Sequence, residues 1–177
     1  MEPILFLCDV DGVLAPFGCL EDLPLIPIVE ANLYSAARMG MKFRPEVIGR
    51  IDELISKGMV RFEWLTSWEE DAKDLFSGLG FGTDVPVHSF GFDNFKTWWK
   101  SDIVLRILQE NPHLRILWVD DDIAGSFGGG GIAGDTGWDL AQFGDRLLAV
   151  SPSVSVGLTL DQLNKSIAQL QAQTEVR

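Results

Sequence analysis

Phe6-Leu7-Cys8-Asp9-Val10-Asp11-Gly12-Val13-Leu14, FLCDVDGVL, sets two carboxylates two residues apart, just after an apolar run and just before a glycine. Ile4 to Cys8 is short and wholly apolar, the pattern of a strand buried on both faces. Ending such a strand in two like charges is unfavourable unless something positive meets them. Gly12 permits the tight turn that brings backbone amides close to a ligand.

Outward from this stretch, apolar runs and helical periodicities alternate. PEVIGRIDELISK, Pro45 to Lys57, has Val47, Ile48, Ile51, Leu54 and Ile55 at helical spacing, with Pro45 suited to a first turn and Gly58 to the stop. VRFEWL, Val60 to Leu65, predicts a second strand, and Trp68 to Leu79 a helix ending at Gly78 and Gly80. Val85 to Phe90 predicts a short third strand and Lys96 to Glu110 a helix. Ile116 to Val119 and Leu147 to Val150 predict strands four and five, and Asp161 to Gln171 a closing helix. This alternation implies a Rossmann-like α/β fold: a parallel sheet of about five strands with helices on both faces. Active sites in such sheets lie beyond the carboxyl ends of the strands.

Those ends carry chemistry. Asp9 and Asp11 follow strand one, Thr66 and Ser67 strand two, and Asp120, Asp121 and Asp122 strand four, while Lys96 and Lys100 open the helix leading into strand four. Clustered carboxylates repel one another, and a bound Mg²⁺, which prefers hard oxygen ligands, removes that repulsion. A carboxylate can attack phosphorus to give an aspartyl-phosphate, and a second one two residues on can protonate the leaving oxygen and then activate water.

In these features the chain resembles the haloacid-dehalogenase superfamily of phosphohydrolases. DVDGVL is similar to the family's first motif, LTSW to its second, a lysine before the fourth strand to its third, and WVDDD to its fourth. They stand in the family's order from Asp9 to Asp122, about two thirds of the chain. FEWLTSW, ILWVDDD and SVGLTLDQL further resemble the haloacid-dehalogenase domain associated with "Swiss army knife" RNA-repair proteins. The resemblance implies Asp9 as nucleophile and metal ligand, and Asp11 as general acid/base with its carbonyl on the metal. Thr66 would hydrogen-bond the phosphoryl group, with Gly12 and Ser67 beside it. Lys100 would neutralise phosphate charge, with Lys96 as competitor; Lys100 is preferred because it opens the periodic stretch SDIVLRIL. Asp120 and Asp121 would hold Mg²⁺.

Each feature also has an ordinary role. Asp9 and Asp11 can be solvated loop residues, Asp120 to Asp122 can cap a helix, and Thr66 and Ser67 can cap the helix from Trp68. The lysines can be surface charges, and Trp98 and Trp99 can pack at a rim or stack on bases. The first stretch is not an EF-hand loop, whose glycine stands at position six. GGGGIAG lacks the following GK[ST] of a phosphate loop. His88 and His113 match no triad or metal spacing, and His113 suits a surface turn.

The 177 residues, 46% hydrophobic and 23% charged, fit one domain over residues 1–177. About 30 residues, with Pro16, Pro24 and Pro27, separate Asp11 from Pro45. That is too few for a large cap domain, and a small flap or lid over residues 15–44 is expected. An open site would suit a bulky phosphorylated substrate, a small molecule or a nucleic-acid end, or a partner protein or subunit that covers it. The net charge of −12 argues against a broad grip on nucleic acid. No apolar run approaches the ~18 residues of a membrane span. The start has no basic region typical of a signal peptide, and the two cysteines, Cys8 and Cys19, make no disulfide framework. A cytoplasmic phosphatase is the expectation; a polynucleotide end phosphatase in RNA repair is the alternative among enzymes, and a non-catalytic module that binds a phosphorylated ligand or a partner protein is the alternative from another class.

Overall fold

The computed structural model describes residues 2–18, 25–26, 41–68, 71–72, 85–88, 98–124 and 140–173. Seven strands occur among them: β1 (Ile4–Cys8), β2 (Leu25–Ile26), β3 (Met41–Lys42), β4 (Val60–Leu65), β5 (Val87–His88), β6 (Ile116–Val119) and β7 (Leu147–Val150). Three α-helices accompany them: α1 (Pro45–Ser56), α2 (Trp99–Glu110) and α3 (Leu160–Ala172). Short 3₁₀ turns cover Asp121–Ala124 and Leu140–Arg146.

Five strands form one sheet in the order β5-β4-β1-β6-β7, every pair parallel. β1, the first strand of the chain, lies at the centre. Later strands are added on one side of it as far as β5 and then on the other side from β6. The topological switch point therefore falls at the carboxyl end of β1, where this architecture places ligands. β2 and β3 form a separate antiparallel pair, joining Leu25 to Lys42 and Ile26 to Met41.

β1 and β6 are wholly apolar and buried because both faces of the sheet are covered there. On one face Ile4, Phe6 and Cys8 of β1 pack with Val60, Phe62 and Trp64 of β4, Leu117 and Val119 of β6, and the apolar stripes of α1 and α3. On the other, Leu5 and Leu7 join Ile116 and Trp118 of β6, Leu65, Phe143, and Val104 and Leu108 of α2. The alternation is the two-residue period of a strand. Phe6 is fully buried and meets Phe62 edge-on at 5.1 Å. Truncating such a side chain to alanine typically destabilises by about 3–5 kcal/mol.

The strands β1, β4, β6 and β7 match their expected limits. Of the expected Val85 to Phe90, Val87–His88 form β5, Val85 and Pro86 precede it, and Ser89 and Phe90 lie outside the described residues; Pro86, which has no N–H to give, still accepts from the Trp64 N–H at 2.8 Å. Helix α1 stops where Gly58 adopts φ +65°, the left-handed conformation favoured after a helix end. Helix α2 begins at Trp99, since Trp98 is extended at φ −73°, ψ 102°. Lys100 therefore stands in its first turn. Lys96, Cys19, the Gly128–Gly131 run, most of the expected helix from Trp68 to Leu79 and most of the 15–44 segment lie outside the described residues. Asp71 and Ala72 of that expected helix are helical, while Ser67 and Trp68 form a turn. His113 is exposed in a turn. Among the described residues no helix is long and apolar enough to cross a membrane.

Candidate functional site

The register of the sheet brings the acidic residues together. Cys8 pairs with Val119, so Asp9 and Asp120, one residue further along each strand, emerge side by side. Both continue the alternation that turns Leu7 and Trp118 toward α2, and they meet the first turn of that helix. There the Lys100 ammonium donates to Asp9 Oδ2 and to Asp120 Oδ2, each at 2.6 Å. All three groups are buried: Asp9 is 6% exposed, Lys100 5% and Asp120 0%. Asp9 and Asp120 are therefore not solvated loop residues.

Asp121, also buried, completes the cluster. Asp9, Asp120 and Asp121 each offer a carboxylate oxygen, and these oxygens lie within 4.8 Å of one another. One ammonium does not balance three carboxylates. Burial, and then repulsion from Asp9, pushes Asp120 up to about 7. Burial, Asp9 and Asp122 push Asp121 up to about 6. Burial pulls the Lys100 ammonium down, but Asp9 and Asp120 outweigh it and hold its pKa above the usual lysine value. Beside this cluster, Asp122 Oδ1 is buried with no hydrogen-bond partner among the described residues. Hard oxygen donors, excess negative charge and an unsatisfied buried acceptor are the surroundings a divalent cation needs, and the three aspartates can hold a metal ion.

The backbone around the cluster is closely specified. The Val10 carbonyl accepts from the N–H groups of Val13, Leu14 and Ala15 at 3.3, 3.0 and 2.9 Å, folding the chain after β1 into a tight loop. Val10, Val13, Leu14 and Ala15 are buried and anchor that loop in the core. Gly12 adopts φ +67°, and a Cβ there would meet the Asp121 carboxylate at 2.5–2.8 Å. Both the conformation and the space require glycine. Asp120 Oδ1 accepts from the Asp122 N–H at 3.0 Å, so this residue also caps the Asp121–Ala124 turn. Capping and cluster membership coexist in one side chain.

Asp11 points elsewhere. Its Oδ2 accepts from the Trp68 indole N–H at 2.7 Å, and its carboxylate is not part of the three-aspartate group. Burial raises its pKa; the Trp68 hydrogen bond works in the opposite direction. Thr66 is fully buried at the end of β4, where its Oγ1 accepts from the Trp68 N–H at 3.3 Å. A cleft of about 290 Å³ opens over the sheet edge, lined by the polar residues Asp9, Asp11, Ser67, Lys100, Asp121 and Asp122 and by the aromatic residues Phe17, Trp98 and Trp99. Cys8 lies beneath Asp9; burial pushes its thiol up, so it stays protonated and is a poor nucleophile.

Three participants escaped the sequence. Trp68 orients Asp11 across 57 residues of chain, a pairing without a local signal. Ser151 donates to the Asp121 carbonyl at 2.8 Å and accepts from the Ala124 N–H at 3.3 Å, steadying the acidic turn from β7. Phe17 reaches the cleft because Phe17 and Gly18 donate backbone hydrogen bonds to Val154 and Ser155. His88, expected to be isolated, makes a 2.7 Å contact with buried Glu63, which also pairs with Arg61 at 2.9 Å.

No family model matches the chain, and no curated protein matches it.

Proposed function

We propose that the protein is a Mg²⁺-dependent phosphomonoester hydrolase of the haloacid-dehalogenase kind, with Asp9 as nucleophile and Asp11 as general acid and base. The observation that carries this is the buried Asp9–Lys100–Asp120 bridge at the carboxyl end of the central strand, with both contacts at 2.6 Å. A lysine held between two carboxylates at a cleft floor offers an ammonium to an incoming phosphate and leaves a carboxylate facing it.

Asp9, Asp120 and Asp121 would hold Mg²⁺, with the Asp11 carbonyl as a further ligand; when bound, the ion supplies positive charge to the phosphoryl oxygens. An Asp9 carboxylate oxygen forms a bond to phosphorus as the bond from phosphorus to the ester oxygen breaks. Asp11, protonated, gives its proton to that departing oxygen. Burial raises its pKa, which favours the protonated form before the step. Asp11, now a carboxylate, takes a proton from water, whose oxygen attacks the same phosphorus. The bond to Asp9 breaks, inorganic phosphate leaves, and both aspartates return to their starting states. Trp68 holds Asp11 in place and Lys100 neutralises phosphate charge. Ser67 lines the cleft, and the Thr66 hydroxyl and the backbone at Gly12 would complete the phosphoryl position from beneath it. Residues 15–44 would act as a small flap, of which 15–18, 25–26 and 41–44 are described.

The test is hydrolysis of p-nitrophenyl phosphate with and without Mg²⁺. The parent should turn over only with the metal. Asp9→Asn, which keeps the shape and removes the charge, should fold normally and lose nearly all turnover. Activity in that variant within about tenfold of the parent, well short of a lost nucleophile, would remove Asp9 from the role. A parent with no turnover that still binds phosphate would leave a non-catalytic binding module.

A further inference from the structure

Asp11 lines the cleft, whereas Trp68, whose indole it meets, is not among the described lining residues. The contact between them is closely built from both sides. The Trp68 N–H donates to Thr66 Oγ1 at 3.3 Å, the Trp68 carbonyl accepts from the Asp71 N–H at 3.1 Å, and the ring packs against the core. Asp11 sits in the tight loop after β1, bridged to Ala15. Between these two fixed backbones the indole N–H donates to Asp11 Oδ2 at 2.7 Å. An indole nitrogen can only donate, so Oδ2 has to present a lone pair to it. A protonated carboxyl divides its roles: one oxygen carries the proton, and the other, carbonyl-like, is the better acceptor. With Oδ2 held as the acceptor, Oδ1 is the oxygen left to carry a proton.

We infer that Trp68 is a positioning residue for the reaction: by holding Asp11 Oδ2 it assigns the transferred proton to Asp11 Oδ1. This rests on the hydrolase function proposed above. In the first step the Oδ1–H bond breaks and its electron pair stays on Oδ1. The proton goes to the ester oxygen, which keeps the electron pair of its broken bond to phosphorus. In the second step Oδ1 takes a proton from the water whose oxygen attacks phosphorus. Oδ2 stays on the indole in both steps, so one orientation of the carboxyl serves as acid and as base. The turn after β4 thus does two things at once: Thr66 ends the strand beside the phosphoryl position, and Trp68, tied to Thr66 Oγ1, aims the acid that stands after β1.

The test measures kcat and KM with Mg²⁺ on an alkyl phosphate and on p-nitrophenyl phosphate, for the parent, Trp68→Phe, Asp11→Asn and the double variant. Trp68→Phe keeps an aromatic ring and removes the N–H. Its kcat on the alkyl phosphate should fall by up to about a hundredfold, the loss that a misaimed catalytic group brings, with KM at the parent value. On p-nitrophenyl phosphate, whose leaving group needs little protonation, the fall should be much smaller. Added to Asp11→Asn, Trp68→Phe should cost nothing further, because its effect passes through Asp11. If Trp68→Phe does not fold, replacing the indole at position 68 by benzothiophene, which keeps the shape and lacks the N–H, makes the same comparison. Equal losses on the two substrates, or losses that multiply in the double variant, would overturn the inference and leave the hydrolase standing, with Trp68 merely packing the turn after β4. A parent that turns over neither substrate would overturn the hydrolase and this inference with it.

Discussion

Asp9 and Asp11 are the same residue type two positions apart, yet their surroundings separate them. Asp9 meets a buried ammonium, whereas Asp11 accepts from the Trp68 indole. In the proposed chemistry the first carboxylate would attack phosphorus, and the second, whose pKa burial raises, would give up a proton. A poor leaving group such as an alkoxide needs that proton more than nitrophenolate does. Asp11→Asn should therefore lose more activity on alkyl phosphates than on p-nitrophenyl phosphate, with a gap of up to ~10²–10⁴-fold. Equal losses on both substrates would reduce Asp11 to shaping the loop. The acidic residues were legible in the sequence because each follows an apolar run that could only be a strand. The Trp68–Asp11 and Lys100–Asp9 contacts were not, since they span 57 and 91 residues and nothing local records them. The choice of Lys100 came from helical periodicity, which placed it at a helix start without showing what it would touch.

At the scale of elements, strands buried on both faces were the clearest. ILFLC and ILWV are buried throughout, as apolar runs of that kind are when a sheet is covered twice, while LLAV, at the end of the strand order, is partly buried. β5 was less clear: it is an edge strand of two residues following Pro86, too short to show a period. The start of α2 was read three residues early, since Trp98 and Trp99 belong equally to an apolar helix face and to the rim that Trp98 forms against Trp118. Helix α3 shows its start openly. Thr159 Oγ1 accepts from the Gln162 N–H at 3.3 Å, and Gln162 Oε1 accepts from the Thr159 N–H at 3.0 Å, a reciprocal cap. Thr159→Ala should lower stability by about 1 kcal/mol, a fall in Tm of about 2–4 °C for a chain of this size. Thermal unfolding measures the fall, and kcat should stay at the parent value because the cap contributes no group to the cleft. A drop in kcat at unchanged Tm would mean that α3 shapes the site directly.

At the scale of the whole molecule, the sheet concentrates negative charge at one edge, where among the described residues the buried Lys100 ammonium meets it. Asp120 at about 7 and Asp121 at about 6 both lie above an unfolded aspartate at ~4. Without metal, the folded cluster retains protons that the unfolded chain has already released. The contribution of these groups to stability therefore falls as pH rises from about 4 to about 7. Mg²⁺ binding requires the protons to leave, so the rise in Tm with millimolar Mg²⁺ should be small near pH 5 and full above pH 7. Asp120→Ala combined with Asp121→Ala should abolish it, and a rise that persists in the double variant would place the metal elsewhere. Everything in the proposed chemistry passes through one covalent bond, between Asp9 and phosphorus. Asp11→Asn slows the water step that breaks that bond, so the phosphorylated chain should accumulate when the variant is mixed with Mg²⁺ and p-nitrophenyl phosphate. Acid quenching followed by peptide mass spectrometry should find the phosphoryl group on Asp9, and Asp9→Asn combined with Asp11→Asn should show none. Turnover by the parent with no phosphoryl group on Asp9 in the Asp11→Asn chain, or with the group on another residue, would contradict the nucleophilic role of Asp9.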